Sequence, residues 1–311
     1  MRPRIIFLWL LAWSLVLVMA GCPSPKERAA PPAPATAPAS DSQVVIRTIK
    51  VVITADQKLE VPGLSREEVE SRVRKRLSQA ASVRLETDAQ PGTHALDGAY
   101  QLLLELALAR AAPGAGLTGP VAVVACGARV PGDVDAVVLQ AQAVASLGDK
   151  LAPANVNKTL GRLLDAVLDD IVFQAELARA SGQDLARQLA QIKDLQRLVP
   201  AVEIAARRRL PATFSSLVAL LKHKDIGVSD GAVGALVALG DRRAVKPLTH
   251  LSNLSDTARL ARILDAIGSL GGDEAVGYLE FLASGHDDDD IRFMAAEALE
   301  RMKRQEAGRS K

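Results

Sequence analysis

Near its C-terminus the chain copies itself. Displaced by 31 residues, Phe214, Leu217, Leu220 and Asp225 fall on Val245, Leu248, Leu251 and Asp256, and displaced again they fall on Val276, Leu279, Leu282 and Asp287. A second set moves in step: Ala235, Leu236, Leu239 and Gly240 fall on Ala266, Ile267, Leu270 and Gly271, and with one inserted residue on Ala298, Leu299 and Met302. A weaker copy precedes them, with Ala201, Val202 and Ile204 matching Ala232, Val233 and Ala235. Such a period marks one supersecondary unit laid end to end. The apolar spacing inside each copy is helical, so each unit reads as a pair of helices. No pair can hide its own apolar face; only the next unit can cover it, and the units must stack.

The details carry a family likeness. Each inner helix ends on Ala-Leu-x-x-Leu-Gly, as in Ala235 to Gly240, and Asp241-Arg-Arg-Ala-Val-Lys-Pro-Leu248 follows. The last copy supplies the other half, Asp287-Asp-Asp-Asp-Ile-Arg292 leading into Ala295-Ala-Glu-Ala-Leu299. These units resemble HEAT repeats of the short bacterial, phycocyanobilin-lyase-like kind, over about residues 195–303. The resemblance implies a curved solenoid that binds protein along its concave face, with little room for catalysis. The middle copy departs from the pattern: Asp256-Thr-Ala-Arg259 replaces Asp-x-x-Val-Arg, which predicts less regular packing of that inner helix.

The other end of the chain carries an address. Arg2 and Arg4 precede an apolar run from Ile5 to Met19, then Ala20, Gly21 and Cys22, the order of an export signal. The run is shorter than the roughly 20 apolar residues a bilayer span needs. Met19-Ala20-Gly21-Cys22 resembles the lipobox of bacterial lipoproteins, which implies cleavage before Cys22 and lipidation of its thiol. An uncleaved anchor helix is the rival reading, and both place the rest of the chain outside the cytoplasm. By likeness to enteric sorting rules, Pro23 after the cysteine favours the outer membrane, facing the periplasm. Residues 22–43 are rich in Pro and Ala and read as an extended tether.

Without residues 1–21 the chain holds 36 basic and 36 acidic residues, since Arg2 and Arg4 leave with the signal. That balance argues against nucleic acid as a partner, because phosphate neutralisation needs a basic surface. Both Trp residues leave too, so aromatic platforms for sugars or single strands are scarce. Cys126 has no cysteine to pair with once Cys22 is acylated, and in the apolar run from Val121 it reads as a buried, inert thiol.

Between tether and repeats, β-branched Val44–Thr54 predicts a strand. Ser65 with Glu68 forms a capping box for a helix whose stripe is Val69, Val73 and Leu77. Ser82–Glu86 reads as a short strand. Tyr100–Ala109 alternates and is read as a strand, joined through Pro113–Gly116 to Val121–Val130 as a long hairpin, with Val137–Ala145 as a third member. The expected result is an α+β domain over 44–150, an antiparallel sheet with one packed helix. From Asn155 β signals vanish; 154–209 reads as a helical region with a degenerate repeat, 210–303 as the all-α HEAT-repeat solenoid and 304–311 as a polar tail.

Signals of chemistry are weak. Gly114-Ala-Gly-Leu-Thr-Gly119 spells a dinucleotide-binding pattern, but Pro120 and a strand follow where a helix N-terminus is needed, so a hairpin loop is expected. His286 with Asp287–Asp290 reads as an acidic helix start rather than a cation loop. His94, His223, His250 and His286 have no zinc spacing. Arg207-Arg-Arg209 closes a helix, where basic charge suits the dipole, and could also meet an acidic partner patch. The sequence therefore predicts a non-enzymatic envelope lipoprotein, anchored through Cys22, that scaffolds an envelope protein, with no catalytic, cofactor, metal or small-molecule site. Two alternatives stand beside it: an enzyme using Asp133, Asp135 or His94 in the α+β domain, and a structural spacer between membrane and cell wall.

Overall fold

A computed structural model describes residues 44–55, 65–86, 99–111, 119–129, 137–147, 152–251 and 256–309. Five strands come first: β1 (Val44–Ala55), β2 (Val83–Leu85), β3 (Ala99–Arg110), β4 (Pro120–Arg129) and β5 (Val137–Ser146), with helix α1 (Arg66–Ser78) between β1 and β2. They form one sheet in the order β2-β1-β3-β4-β5.

The sheet corrects the antiparallel expectation. β1 runs parallel to both β2 and β3, while β3, β4 and β5 form the expected antiparallel meander, so the sheet is mixed. The reason lies in the connections. A strand–helix–strand segment returns the chain to the end it left and so favours parallel pairing, which α1 allows for β1 and β2. Alternating side chains look the same whichever way a strand runs, so periodicity cannot report direction.

The single packed helix is corrected too. Helix α2 (Pro153–Arg179) lies on β4 and β5 and supplies Val156, Leu160, Leu164, Val167, Leu168, Ile171 and Ala175 to the same core as Val69, Val73 and Leu77 of α1. Opposite them stand Leu102, Leu104, Leu106 and Leu108 of β3 and Ala122, Val124, Cys126 and Ala128 of β4, the inward set of a period-two pattern. Arg72 and Arg76 of α1 pair with Asp165 and Asp169 of α2, each one helical turn apart, and zip the two helices together.

Eight helices follow: α3 (Gly182–Gln191), α4 (Leu195–Arg208), α5 (Phe214–Leu220), α6 (Ile226–Leu239), α7 (Val245–Thr249), α8 (Thr257–Leu270), α9 (Asp273–Gly285) and α10 (Asp289–Arg309). Short 3-10 turns, Pro211–Thr213 and Arg242–Ala244, lead into α5 and α7. The second helices of the pairs start alike. Asp194, Asp225 and Asp256 are N-caps whose carboxylates accept backbone N–H bonds from Gln196, Val228 and Arg259, and Asp288 does the same for Asp290 and Ile291. Two of them end on a glycine of positive φ, Gly240 after α6 in the left-handed region at φ +73° and Gly271 after α8 at φ +68° with an extended ψ of −169°. Arg209, 31 residues before Gly240, adopts φ +49° at the same place after α4.

One continuous core runs through these helices, from Leu185 and Leu189 of α3 to Ile291, Ala295 and Met302 of α10. Leu177 belongs to it, so α2 serves both cores. Asp170 and Phe173 of α2 hold Arg197 of α4, the first by an ion pair of 2.9 Å and the second by its ring face at 5.0 Å. Among the described residues no helix is long and apolar enough to cross a membrane.

Candidate partner-binding surface

The second helices α4, α6, α8 and α10 form a row in which each packs against the next. On α6 the core side is Val228, Ser229, Ala232, Val233, Ala235 and Leu236. Positions three and four apart share a face; Gly227 and Gly234 are exposed on the other side, while Gly231 and Ala238 flank it half-buried, a Cβ at Gly231 standing 3.4 Å from Val202 of α4. A Cβ added at Gly234 would meet nothing within 4 Å, so internal packing does not require glycine there. A glycine inside a helix costs roughly 1 kcal/mol against alanine, and this helix bears it on its solvent side.

Charges border the bare strip. Asp230 of α6 pairs with Arg262 of α8 at 3.0 Å and with Arg259 at 3.3 Å, and Asp265 of α8 pairs with Arg301 of α10 at 3.2 Å. Each pair ties neighbouring units together. Arg259 is the residue that breaks the repeat pattern. Its position after the N-cap is that of buried Val228 and Ile291, and its guanidinium turns back to donate to Ser229 Oγ at 2.7 Å, while Ser229 Oγ donates to the Leu221 carbonyl at 2.6 Å. The rest of α8 still buries Leu260, Ile263, Leu264, Ile267 and Leu270, and a Cβ at Gly268 would stand 3.2 Å from the Ala298 carbonyl oxygen of α10. Among the described residues four large apolar side chains of the array are exposed, Leu195 at 36%, Ile226 at 58%, Phe281 at 68% and Phe293 at 69%.

Other residues singled out in the sequence have local work to do. His223 and His286 each accept, through Nδ1, the N–H of the N-cap aspartate two residues on, Asp225 and Asp288, both at 3.1 Å. Asp287 and Asp288 precede α10 and Asp289 and Asp290 begin it, and among the described residues no group of three or more His, Cys, Asp or Glu is placed to hold a metal. Arg208 donates to the carbonyls of Leu177 and Ala180, tying α4 to the end of α2, while Arg209 is the cap. Cys126 is buried, and burial pushes its thiol up to about 12. Gly119 closes the β3–β4 hairpin by accepting from Ala111 N at 3.0 Å. Cys22, His94, Asp133, Asp135 and the stretch Gly114–Thr118 lie outside the described residues.

Two features had no advance signal. The exposed glycines of α6, Gly227 and Gly234, add nothing to apolar periodicity, which marks only the buried side of a helix. The Glu203–Arg207 spacing on α4 was visible as i, i+4, but burial, which raises the Glu203 carboxyl against the opposing charge of Arg207, was not. No protein-family model matches the chain, and no curated protein matches it.

Proposed function

We propose that this chain is a lipid-anchored envelope protein that holds another protein along its row of second helices and performs no catalysis. One observation carries the reading: the exposed side of α6 holds Gly227 and Gly234, and at Gly234, which stands in open space, a residue with a side chain would stabilise the helix. A bare helix face lets a second backbone approach closely, and the stability given up is recovered on binding. Asp230, Arg262 and Asp265 beside it set orientation. The envelope address rests on Arg2, Arg4, the apolar run to Met19 and the Ala20-Gly21-Cys22 site, and the anchor on lipid at Cys22. The repeats themselves are read as HEAT-like from their 31-residue period and shared aspartate caps.

The test is Gly234→Gln. It adds a better helix former at an open position, so the melting temperature holds or rises. Co-purification of the bound envelope protein is lost. A variant that still captures the same protein as the wild type overturns the reading.

A further inference from the structure

The sheet has two edges, and they are unlike. β2 closes one side with only three residues. β5 closes the other with ten, and it contains no charged residue and no proline. Proteins that keep a sheet edge unpaired protect it with charges, proline, bulges or brevity; β5 is long, uncharged and free of proline, and its one register shift, where Leu139 and Val137 oppose Ala128 and Arg129, lies at its start, away from Gln142 and Val144.

The backbone shows which part is open. Gln174 of α2 reaches the edge at Gln140, its Oε1 accepting from Gln140 N at 3.0 Å and its Nε2 donating to Gln140 O at 2.6 Å. Its side-chain amide thereby makes the two bonds of a neighbouring strand. Gln140 stands opposite Gly127 with its backbone groups turned from β4, and such residues alternate in an antiparallel pair. Gln142, opposite Ala125, and Val144, opposite Val123, therefore aim their N–H and C=O outward as well. Among the described residues neither finds a partner there. Among the described residues Val144 is also the one large apolar side chain of the strands that is exposed, at 40%.

We propose that two copies of this chain join β5 to β5, antiparallel, about a two-fold axis through Val144, so that one sheet continues across both. Only another extended backbone offers acceptors and donors in the alternation that Gln142 and Val144 present. A neutral strand is required, since a charge would be brought against an uncharged edge, and β5 itself is one. Gln174 blocks the edge at Gln140, so the pairing must centre beyond it. At Val144 the symmetry is self-complementary: Val144 meets Val144 of the second copy, and each N–H donates to the other's carbonyl. The inference does not depend on what the helical array binds.

Sedimentation of the full chain in detergent tests it, with Val144→Pro and Val144→Lys as variants. Val144 gives β4 no hydrogen bond, so proline is tolerated in the sheet but removes the outward donor. The wild type is expected at the mass of two copies and both variants at the mass of one, with unchanged circular dichroism. Val144→Cys should also form an inter-chain disulfide, because facing hydrogen-bonded residues lie about 5.5 Å apart. A wild type that sediments as one copy overturns the proposal, as does a pair that survives Val144→Lys. If Val144→Pro disturbs the sheet, Val144→Lys and the cysteine cross-link decide.

Discussion

Arg72 of α1 grips Asp165 of α2 with two hydrogen bonds, Nε to Oδ1 at 3.1 Å and Nη2 to Oδ2 at 2.6 Å, across 93 residues of sequence. This pair joins the helix that follows β1 to the helix that leads into the array. Both side chains are half exposed, so water screens the attraction. Arg72→Asp or Asp165→Arg alone should each lower stability by about 1 kcal/mol by opposing like charges. The double reversal should recover most of that, a coupling measurable in a chemical-denaturation cycle. Additive losses would show that the pair does not hold the helices.

Arg209 predicts a gain. It holds a left-handed φ of +49° where the later units place Gly240 and Gly271. Arg209→Gly should raise stability by about 1 kcal/mol, and Gly240→Ala should lower it by about the same amount. Thermal melts of the two variants check both signs.

Glu203 predicts a pH dependence. Burial raises its carboxyl above the ordinary 4.5, with Arg207 opposing. The folded chain then keeps this proton to higher pH than the unfolded chain. Its contribution is most favourable below pH 4.5 and is lost as pH rises through the folded value. Glu203→Gln removes that loss, so its melting temperature relative to wild type should be higher at pH 7 than at pH 4. A constant difference would contradict the assignment.

Leu248 tests the stacking seam. It is fully buried in the shared core of the array. Leu248→Asp places a carboxylate there without a partner and should cost several kcal/mol. Loss of helicity or a large fall in melting temperature is expected; unchanged melting would mean the repeat register is misplaced.

The strands and the repeat period were legible because both are written as side-chain periodicity. Val44–Thr54 lies within β1, Tyr100–Ala109 within β3 and Val137–Ala145 within β5, and Ser65 with Glu68 forms the capping box. Strand direction was not legible. Ile46, Val51, Leu102 and Leu104 alternate identically in parallel and antiparallel sheets, and only the connections between strands decide. The partner of α2 was hidden for a related reason: Leu160, Leu164 and Leu168 declare an apolar face but not what covers it. On the array, the Ala-Leu pattern revealed the buried side of α6, whereas the glycines opposite it gain meaning only once Gly234 is seen standing in open space.

A photo-activated cross-linker at position 234 reports on the exposed side of α6 in intact cells that make the full chain, with position 191 on the exposed end of α3 as its control. A discrete adduct with one protein from 234, absent from 191 and lost when Arg262 is changed to Glu, is the expected result. No adduct from 234, or the same adducts from both positions, would contradict the claim that this row of helices holds a partner.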